Sequence, residues 1–295
     1  MNGARIGFIG LGLMGSALVG RLQEMGHSLT VAANVTRTGV EAAAARGAVE
    51  VKTGREVAAA SDIVMLCMAT SEQVESRMRG PDGVIAGLRK GAVVIDFGTS
   101  LPESTRALGE EVARAGGEFL DAPIGGTPAH ASEGMINIMG AGDGAAFSRV
   151  KPVLDDLGKN VFHLGPIGTG HTIKLINNFF AQCVANAMAE AFVMADRTGV
   201  DRRTLYEVMS AGPLKSGMMD FIKAYAVGGD PDMLAFSIKN ALKDVGYYRR
   251  MALDACGPSV MAESAFGALS DAVAQGRGEL MVPQMVDYFS DRYGS

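Results

Sequence analysis

The sequence is poor in the side chains that most often bind metals or cross-link a fold. Its 295 residues contain three cysteines and four histidines. Cys67, Cys183 and Cys256 are far apart and odd in number, and neither they nor the histidines show the spacing of metal ligands. We therefore predict no metal site and assign the cysteines no role.

Excess positive charge and long apolar runs are also missing. The formal net charge of −5 argues against nucleic acid as the main partner. The longest uncharged helical stretch, 175–189, contains three asparagines and one glutamine, which makes it too short and too polar for a membrane span. No export signal is visible in the first ten residues. We expect a cytoplasmic protein that binds neither nucleic acid nor a membrane.

The first half of the chain has the alternation of an α/β domain. Strands are predicted at 5–9, 28–33, 62–68, 92–97 and 119–123, with helices between them, among them 38–46. The segment 135–140, a helix at 144–157 and the segment 160–164 finish this half. Thr70 and Ser100 each begin a capping-box pattern that predicts a helix start. Residues 1–165 are thus predicted to form a Rossmann domain with a mostly parallel, doubly wound sheet.

The second half has only helical patterns. A central helix is predicted at 166–197, followed by helices at 202–210, 214–227, 231–253, 259–275 and 281–293. From Thr172 onward the central helix is apolar or small almost all round, which is typical of a helix buried on every side. Residues 166–295 are predicted to form an all-α domain for substrate binding and oligomerisation. Its apolar helices predict a homodimer or a homotetramer.

A glycine motif follows the first strand. The segment GFIGLGLMG (7–15) contains G-x-G-x-x-G between a strand and a helix, the context that dinucleotide binding requires. Ligands of such sheets lie at the carboxyl ends of the strands. These arguments predict the following cofactor-binding residues: Gly10, Leu11, Gly12, Leu13, Met14, Gly15, Met68, Ala69 and Thr99.

The end of the second strand bears on the choice of cofactor. NAD-preferring sites place Asp or Glu there to bond the ribose 2′-hydroxyl, whereas this chain has Asn34, Thr36 and Arg37. Arg37 with a neighbouring hydroxyl can hold a 2′-phosphate. NADP is therefore favoured over NAD. The alternative is that Arg37 simply begins the next helix.

Two further features suggest a catalytic site. Lys174 and Asn178 are four residues apart in the central helix and share a face. The paired glycines Gly125 and Gly126 follow a strand and can present N–H groups to an anion. The alternatives are a lysine that extends to water or pairs with a carboxylate, and a plain turn.

Four motifs in fixed order resemble the β-hydroxyacid dehydrogenase family, which includes 3-hydroxyisobutyrate dehydrogenases and semialdehyde reductases. They are GFIGLGLMG (7–15), DAPIGGTPAHASEG (121–134), GTGHTIKLINN (168–178) and FSIKNALKD (236–244). The resemblance implies a catalytic Lys174 assisted by Asn178, and Lys243 at the cofactor. It also implies that Gly125, Gly126, Thr127, Asn177 and Phe236 join Lys174 and Asn178 in binding substrate.

This chain departs from the family pattern at the anion loop. Gly125 stands where many members have the serine that bonds the substrate carboxylate. The Gly-x-Thr form is similar to the sulfolactaldehyde reductase branch, but Gly126 stands where that branch has arginine. We predict an oxidoreductase that interconverts a small 3-hydroxy acid, or a similar hydroxy acid, with its semialdehyde, the substrate being a small anionic aldehyde or hydroxy acid. The alternatives are a sulfolactaldehyde-type reductase, an imine reductase on the same fold, and a non-catalytic dinucleotide-binding protein.

Overall fold

The chain divides into two compact units. The computed structural model describes residues 3–294. The first unit ends at Lys174 and the second begins at Leu175, so the division falls inside a helix that contributes to both. The domain boundary predicted between residues 165 and 166 stays a prediction.

A six-stranded parallel sheet organises the first unit. Its strand order is β3-β2-β1-β4-β5-β6, and every neighbouring pair is parallel. The order reverses between β1 and β4, which is the switch point beside which doubly wound sheets bind ligands. The strands are β1 (Ile6–Ile9), β2 (Leu29–Ala32), β3 (Val49–Glu50), β4 (Ile63–Leu66), β5 (Val93–Asp96) and β6 (Glu118–Asp121).

Both faces of this sheet are buried by helices. Along β4, Met65 belongs to the apolar core on one face, whereas Val64 and Leu66 belong to the core on the other, as the two-residue period of a strand requires. The doubly wound Rossmann fold predicted from the sequence is confirmed. The covering helices are α1 (Leu13–Glu24), α2 (Thr38–Ala45), α3 (Gly54–Ala60), α4 (Ser71–Met78), α5 (Val84–Gly87) and α6 (Pro102–Arg114).

The two predicted capping signals have different outcomes. Thr70 accepts a hydrogen bond from the Gln73 N–H and caps α4 as predicted. The prediction for Ser100 is wrong, because α6 starts at Pro102 and its N-cap residue is Leu101, which makes no side-chain cap. The Ser100 hydroxyl instead donates to Asp96 Oδ2 at 2.8 Å. The Ser100 hydroxyl therefore satisfies the buried carboxylate of Asp96 instead of capping α6.

A second, three-stranded sheet completes the first unit. Its order is β7-β8-β9, with β7 antiparallel and β9 parallel to β8. The segments 135–140 and 160–164 were predicted to finish this domain, but no sequence pattern indicated that they pair apart from the main sheet. The elements are β7 (Ile124–Gly125), α7 (Pro128–Ser132), β8 (Ile136–Gly140), α8 (Gly144–Leu157) and β9 (Gly158–His163).

The second unit is helical. Between 175 and 294 the structure describes helices and short turns, and the only β pairing there is the isolated bridge between Ser237 and Met281. Asp201 caps α10 through the Thr204 N–H, as predicted. The helices are α9 (Thr169–Thr198), α10 (Arg202–Ser210), α11 (Gly217–Gly228), α12 (Ile238–Ala255), α13 (Val260–Ala272) and α14 (Met285–Arg292), with short turns at Asp232–Leu234, Val273–Arg277 and Val282–Gln284.

Helix α9 is not buried on every side, so that prediction is wrong for the single chain. Leu175 and Phe192 are fully buried, but Phe180 is 67% exposed and Met194 is 53% exposed. Ile173 and Ile176 are exposed on the same face. A periodic apolar pattern in the sequence indicates that a helix face is covered, but it does not show whether the same chain or another molecule covers that face. No helix within residues 3–294 combines the length and apolarity that crossing a bilayer requires.

Candidate active site

The glycine loop between β1 and α1 has the shape that a pyrophosphate needs. Gly10 has φ +97°, and a Cβ on it would lie 2.3 Å from the carbonyl oxygen of Cys67. A Cβ on Gly15 would meet the Gly10 carbonyl oxygen at 2.0 Å, whereas nothing lies within 4 Å of one on Gly12. Gly12 precedes α1 without a side-chain cap, so the N–H groups at the helix start can bind a phosphate.

The other residues of the loop differ in exposure. Leu11 is buried in the core, so only its backbone can face a ligand; Leu13 is 80% exposed and Met14 is half-buried. The carboxyl ends of β1, β4 and β5 are adjacent, since a Cβ on Gly10 would lie 3.3 Å from Met68 Cγ and one on Gly98 would lie 3.0 Å from the Met68 carbonyl oxygen. Of the predicted residues there, Met68 is buried, Ala69 is exposed and Thr99 is half-buried.

The residues predicted to select the cofactor have partners that the sequence did not reveal. Asn34 accepts a hydrogen bond from Arg77 Nε at 2.8 Å. Arg37 lies 2.9 Å from the carboxylate of Glu50, while Thr36 is exposed. Arg77 and Glu50 were missed because they belong to other βα units. No sequence pattern located Glu50, because β3, which pairs in parallel with β2, has no apolar run.

The anion loop is built around two glycines with different environments. Gly125 lies in β7 opposite Asn137. Gly126 has φ +133°, a conformation that an L side chain rarely adopts. Thr127 caps α7, and its hydroxyl lies 2.8 Å from His130 Nδ1. The hydroxyl predicted to contact substrate is therefore already engaged with His130.

A buried carboxylate holds the start of α9. Asp121 is 0% exposed and accepts the N–H groups of Gly168 at 2.7 Å and His171 at 2.8 Å. His171 is also fully buried, with Nδ1 2.7 Å from the Thr105 hydroxyl. Negative charge at a helix N-terminus is favourable. This network fixes the first turn of the helix that carries Lys174, which is half-buried.

Three of the predicted site residues in the helical unit lie around a second buried carboxylate, either in direct contact with it or through a neighbouring side chain. Asp244, 2% exposed, accepts a hydrogen bond from Asn178 Nδ2 at 2.6 Å and lies 2.9 Å from Lys243 Nζ. Asn177 donates to Asn178 Oδ1 at 3.2 Å. Asp244 was missed as a site residue, although it follows Lys243 directly in the motif. Phe236 is half-buried and packs on the core of this unit.

The thiol of Cys67 lies beside the strand ends. Burial raises its pKa to about 12, and the negative charge of Asp96 adds to this effect. Asp96 accepts hydrogen bonds from the Gly98 N–H and the Ser100 hydroxyl, both at 2.8 Å. A thiol with so high a pKa is not a nucleophile near neutral pH. Within residues 3–294 no group of three His, Cys, Asp or Glu side chains is arranged to hold a metal ion.

Comparison with known proteins covers both halves of the chain. Residues 5–165 match the NAD-binding domain of 6-phosphogluconate dehydrogenase, and residues 168–289 match the NAD-binding domain of NADP-dependent 3-hydroxyisobutyrate dehydrogenase. The chain is 34% identical to 2-hydroxy-3-oxopropionate reductase of Escherichia coli K12, over 73% of each protein. It is 32% identical to 2-(hydroxymethyl)glutarate dehydrogenase of Eubacterium barkeri, over 77% of this chain and 75% of that one.

The fold has close counterparts among solved structures. The crystal structure of 3-hydroxyisobutyrate dehydrogenase from Salmonella typhimurium superposes with a TM-score of 0.85 at 26% identity, over 97% of this chain and 99% of that one. The glycine loop, the strand order and the helical second unit agree with the family matches on both halves. The chain therefore belongs to the β-hydroxyacid dehydrogenase family of NAD(P)-binding oxidoreductases.

Proposed function

We propose that this protein interconverts a small 3-hydroxy acid, or a similar hydroxy acid, with its semialdehyde, and that it prefers NADP to NAD. The names of both curated relatives describe a carboxylic acid with a primary alcohol or an aldehyde close by. The observation that carries the proposal is the placement of Lys174 in α9, directly after the turn that Asp121 holds. A nicotinamide ring, when bound, accepts or donates the hydride in this chemistry.

Lys174 is proposed as the general acid–base. Oxidation of an alcohol releases a hydroxyl proton as the hydride leaves carbon, and reduction returns a proton to the aldehyde oxygen. Lys174 would take up this proton on Nζ in one direction and donate it in the other. The fixed first turn of α9 limits the positions that Nζ can reach, which favours a single proton-transfer geometry.

Asn178 is proposed to hold the reacting oxygen. Its Oδ1 accepts from Asn177, and one N–H of its Nδ2 donates to Asp244. These bonds fix the orientation of the amide and leave its second N–H for a substrate oxygen. Asp244 is thus a positioning residue, and its carboxylate also lies beside the ammonium of Lys243, which we propose contacts the cofactor.

The acid group of the substrate is assigned to the anion loop. Backbone N–H groups of Gly125 and Gly126 would bind it, and Thr127, Asn177 and Phe236 are proposed as further substrate-binding residues. A sulfonate-binding arginine is disfavoured at Gly126, because its φ of +133° is strained for any side chain and a Cβ there would lie 3.2 Å from Ile136 Cγ2. This supports a carboxylate rather than a sulfonate as the natural anion.

The dinucleotide would bind at the glycine loop and the strand ends. The open space above Gly12 and the uncapped start of α1 accommodate a pyrophosphate. NADP is proposed over NAD because Asn34, a neutral residue, stands just beyond β2 where NAD-preferring sites have an acid.

The test is a panel of semialdehydes assayed by the absorbance loss of NADPH and NADH. On the best substrate, Lys174→Ala should lower kcat by about 10²-fold or more, the scale of a lost acid–base group. Its Kd for NADPH should change little. Lys151→Ala, the same substitution at an exposed helical position, serves as the control. Near wild-type turnover in Lys174→Ala would remove this lysine from the mechanism. No turnover of any substrate by the wild type would favour a non-catalytic dinucleotide-binding protein.

A further inference from the structure

A cluster of three side chains lies where β2 ends. Arg77 of α4 donates from Nε to Asn34 Oδ1 and from Nη2 to the Asn34 carbonyl oxygen, both at 2.8 Å. Asn34 Nδ2 donates to Gln73 Oε1 at 3.3 Å, and the Ala69 N–H donates to the same oxygen at 3.3 Å. The guanidinium thus binds both the backbone and the side chain of Asn34.

The charge of Arg77 is less compensated than that of Arg37. Arg37 is 59% exposed and lies 2.9 Å from Glu50 and 3.4 Å from Glu41. Arg77 is half-buried, and within residues 3–294 its hydrogen bonds go to the neutral Asn34, with no carboxylate at ion-pair distance. The positive charge that can act on a ligand at this strand end is therefore mainly that of Arg77.

This arrangement suits a phosphate better than a hydroxyl. A ribose 2′-hydroxyl is bound best by a carboxylate acceptor, whereas Asn34 Oδ1 already accepts from Arg77. A phosphate monoester brings a charge of about −1.5 to −2 and three acceptor oxygens. Arg77 retains guanidinium N–H groups that Asn34 does not use, and these can donate to such oxygens.

We propose that Arg77 is a specificity-determining residue that selects the 2′-phosphate of NADP over the 2′-hydroxyl of NAD, and that it holds Asn34 in position for this task. This inference rests on the proposed function, because it requires a dinucleotide at the end of β2. It assigns the selection to a residue of α4, whereas the sequence had pointed to Arg37 with a neighbouring hydroxyl.

The test measures binding of adenosine fragments, separately from catalysis. Isothermal titration calorimetry compares 2′,5′-ADP with 5′-AMP, and the wild type should bind 2′,5′-ADP more tightly. Arg77→Gln should lose about tenfold or more in 2′,5′-ADP affinity and less than about threefold in 5′-AMP affinity. Arg77→Lys keeps the positive charge but lacks the planar set of guanidinium N–H donors, so its loss of 2′,5′-ADP affinity should be intermediate. Arg37→Ala should have the smaller effect, because Glu41 and Glu50 already balance its charge.

The control is Arg89→Gln, which removes an equal charge 3.9 Å from Asp62, at the amino end of the central strand β4 and so away from the carboxyl end of β2. It should leave both fragment affinities unchanged. Equal weakening of both fragments by Arg77→Gln would assign Arg77 a purely structural role and overturn the proposal, as would an unchanged affinity for 2′,5′-ADP. If Arg77→Gln fails to fold, Arg77→Lys provides the same comparison.

Binding and turnover separate this inference from the proposed reaction. If the wild type reduces no semialdehyde but Arg77→Gln selectively lowers the affinity for 2′,5′-ADP, the inference about Arg77 is supported and the proposed reaction is contradicted. If the wild type turns over semialdehydes but binds 2′,5′-ADP and 5′-AMP equally, the proposed reaction is supported and the inference about Arg77 is contradicted.

Discussion

Gly125 is the residue at which this chain departs most plainly from the family pattern. Many members carry there a serine whose hydroxyl bonds the substrate carboxylate. A Cβ on Gly125 would lie 3.5 Å from Met139 Cε and 3.8 Å from Asn137 Cβ, which are ordinary contacts. The position can therefore take a serine without the strain that Gly126 would impose.

Gly125→Ser should lower KM for a carboxylate semialdehyde by about tenfold or more, because a hydrogen bond to a charged group contributes about 1.5–3 kcal/mol. The change in kcat should be small, since the bond forms equally in the ground and transition states. Steady-state kinetics with Gly125→Ala as control separates the hydroxyl from the added carbon. An equal effect of serine and alanine would contradict a role for the hydroxyl.

At the residue scale, local patterns were predictable and long-range contacts were not. Gly10, Gly12 and Gly15 could be assigned because their spacing follows from the turn that they form. Arg77 could not be assigned, because its bonds to Asn34 span 43 residues and depend on how two βα units pack. Asp244 follows Lys243 directly in the sequence. However, the sequence does not distinguish a helical carboxylate that is buried against Asn178 from one that is exposed to solvent.

At the element scale, Asp121 connects the end of β6 to the start of α9. Asp121→Asn keeps the shape but replaces one of two acceptor oxygens with a donor, which faces the N–H of either Gly168 or His171. An unmade buried bond costs about 1–3 kcal/mol, so the free energy of unfolding should fall by that amount in urea titration. Asp156→Asn, a half-buried carboxylate at another helix, is the comparison. A change no larger than that of the comparison would show that the Asp121 charge is not needed at this helix start.

Helices α4 and α6 are joined by the pair of Arg79 and Glu111. Arg79 donates from Nε and Nη2 to the Glu111 carboxylate, the shortest of these bonds being 2.7 Å. This hydrogen bonding, the largest cause, together with the charge of Arg79, lowers the pKa of Glu111 below its ordinary 4.5. A carboxyl whose pKa is lower in the folded state stabilises the fold above pH 4.5, and this contribution is lost as the pH falls through the folded value.

Glu111→Gln should therefore lower the free energy of unfolding by about 0.5–1 kcal/mol at pH 7, the range of a partly exposed ion pair. The difference from wild type should shrink as the pH falls below 4.5. Denaturant titrations across pH 3–7 measure it. Glu118→Gln, an exposed carboxylate with no ion pair in the described part of the chain, should show no such dependence. A difference that persists at low pH would mean that the ion pair is not its source.

Element types were predictable where one pattern decided them. Helix α8 has the predicted bounds of 144 and 157, because Asp143 caps it and the apolar period is strong. Strand β3 was missed because its two residues are exposed and form no apolar run. Ser100 shows that a capping pattern fails when a buried carboxylate such as Asp96 competes for the same hydroxyl.

At the scale of the whole molecule, the exposed face of α9 remains to be explained. Ile173, Ile176, Phe180 and Met194 lie on one face of the helix, and each apolar side chain buried there would contribute about 1.5–3 kcal/mol. We propose that this face forms the contact of a homodimer or a homotetramer. In a two-fold assembly every such side chain is buried twice, once for each protomer.

Multi-angle light scattering at micromolar concentration should therefore give two or four times the chain mass of 30.7 kDa. Phe180→Asp places a charge in the centre of the face and should shift the protein toward the monomer, because a buried unpaired carboxylate is costly. Val49→Asp, at a position that is 62% exposed in β3, should leave the mass unchanged. A wild-type mass near 30.7 kDa would contradict the assembly, whereas an oligomer that survives Phe180→Asp would place the contact on another face.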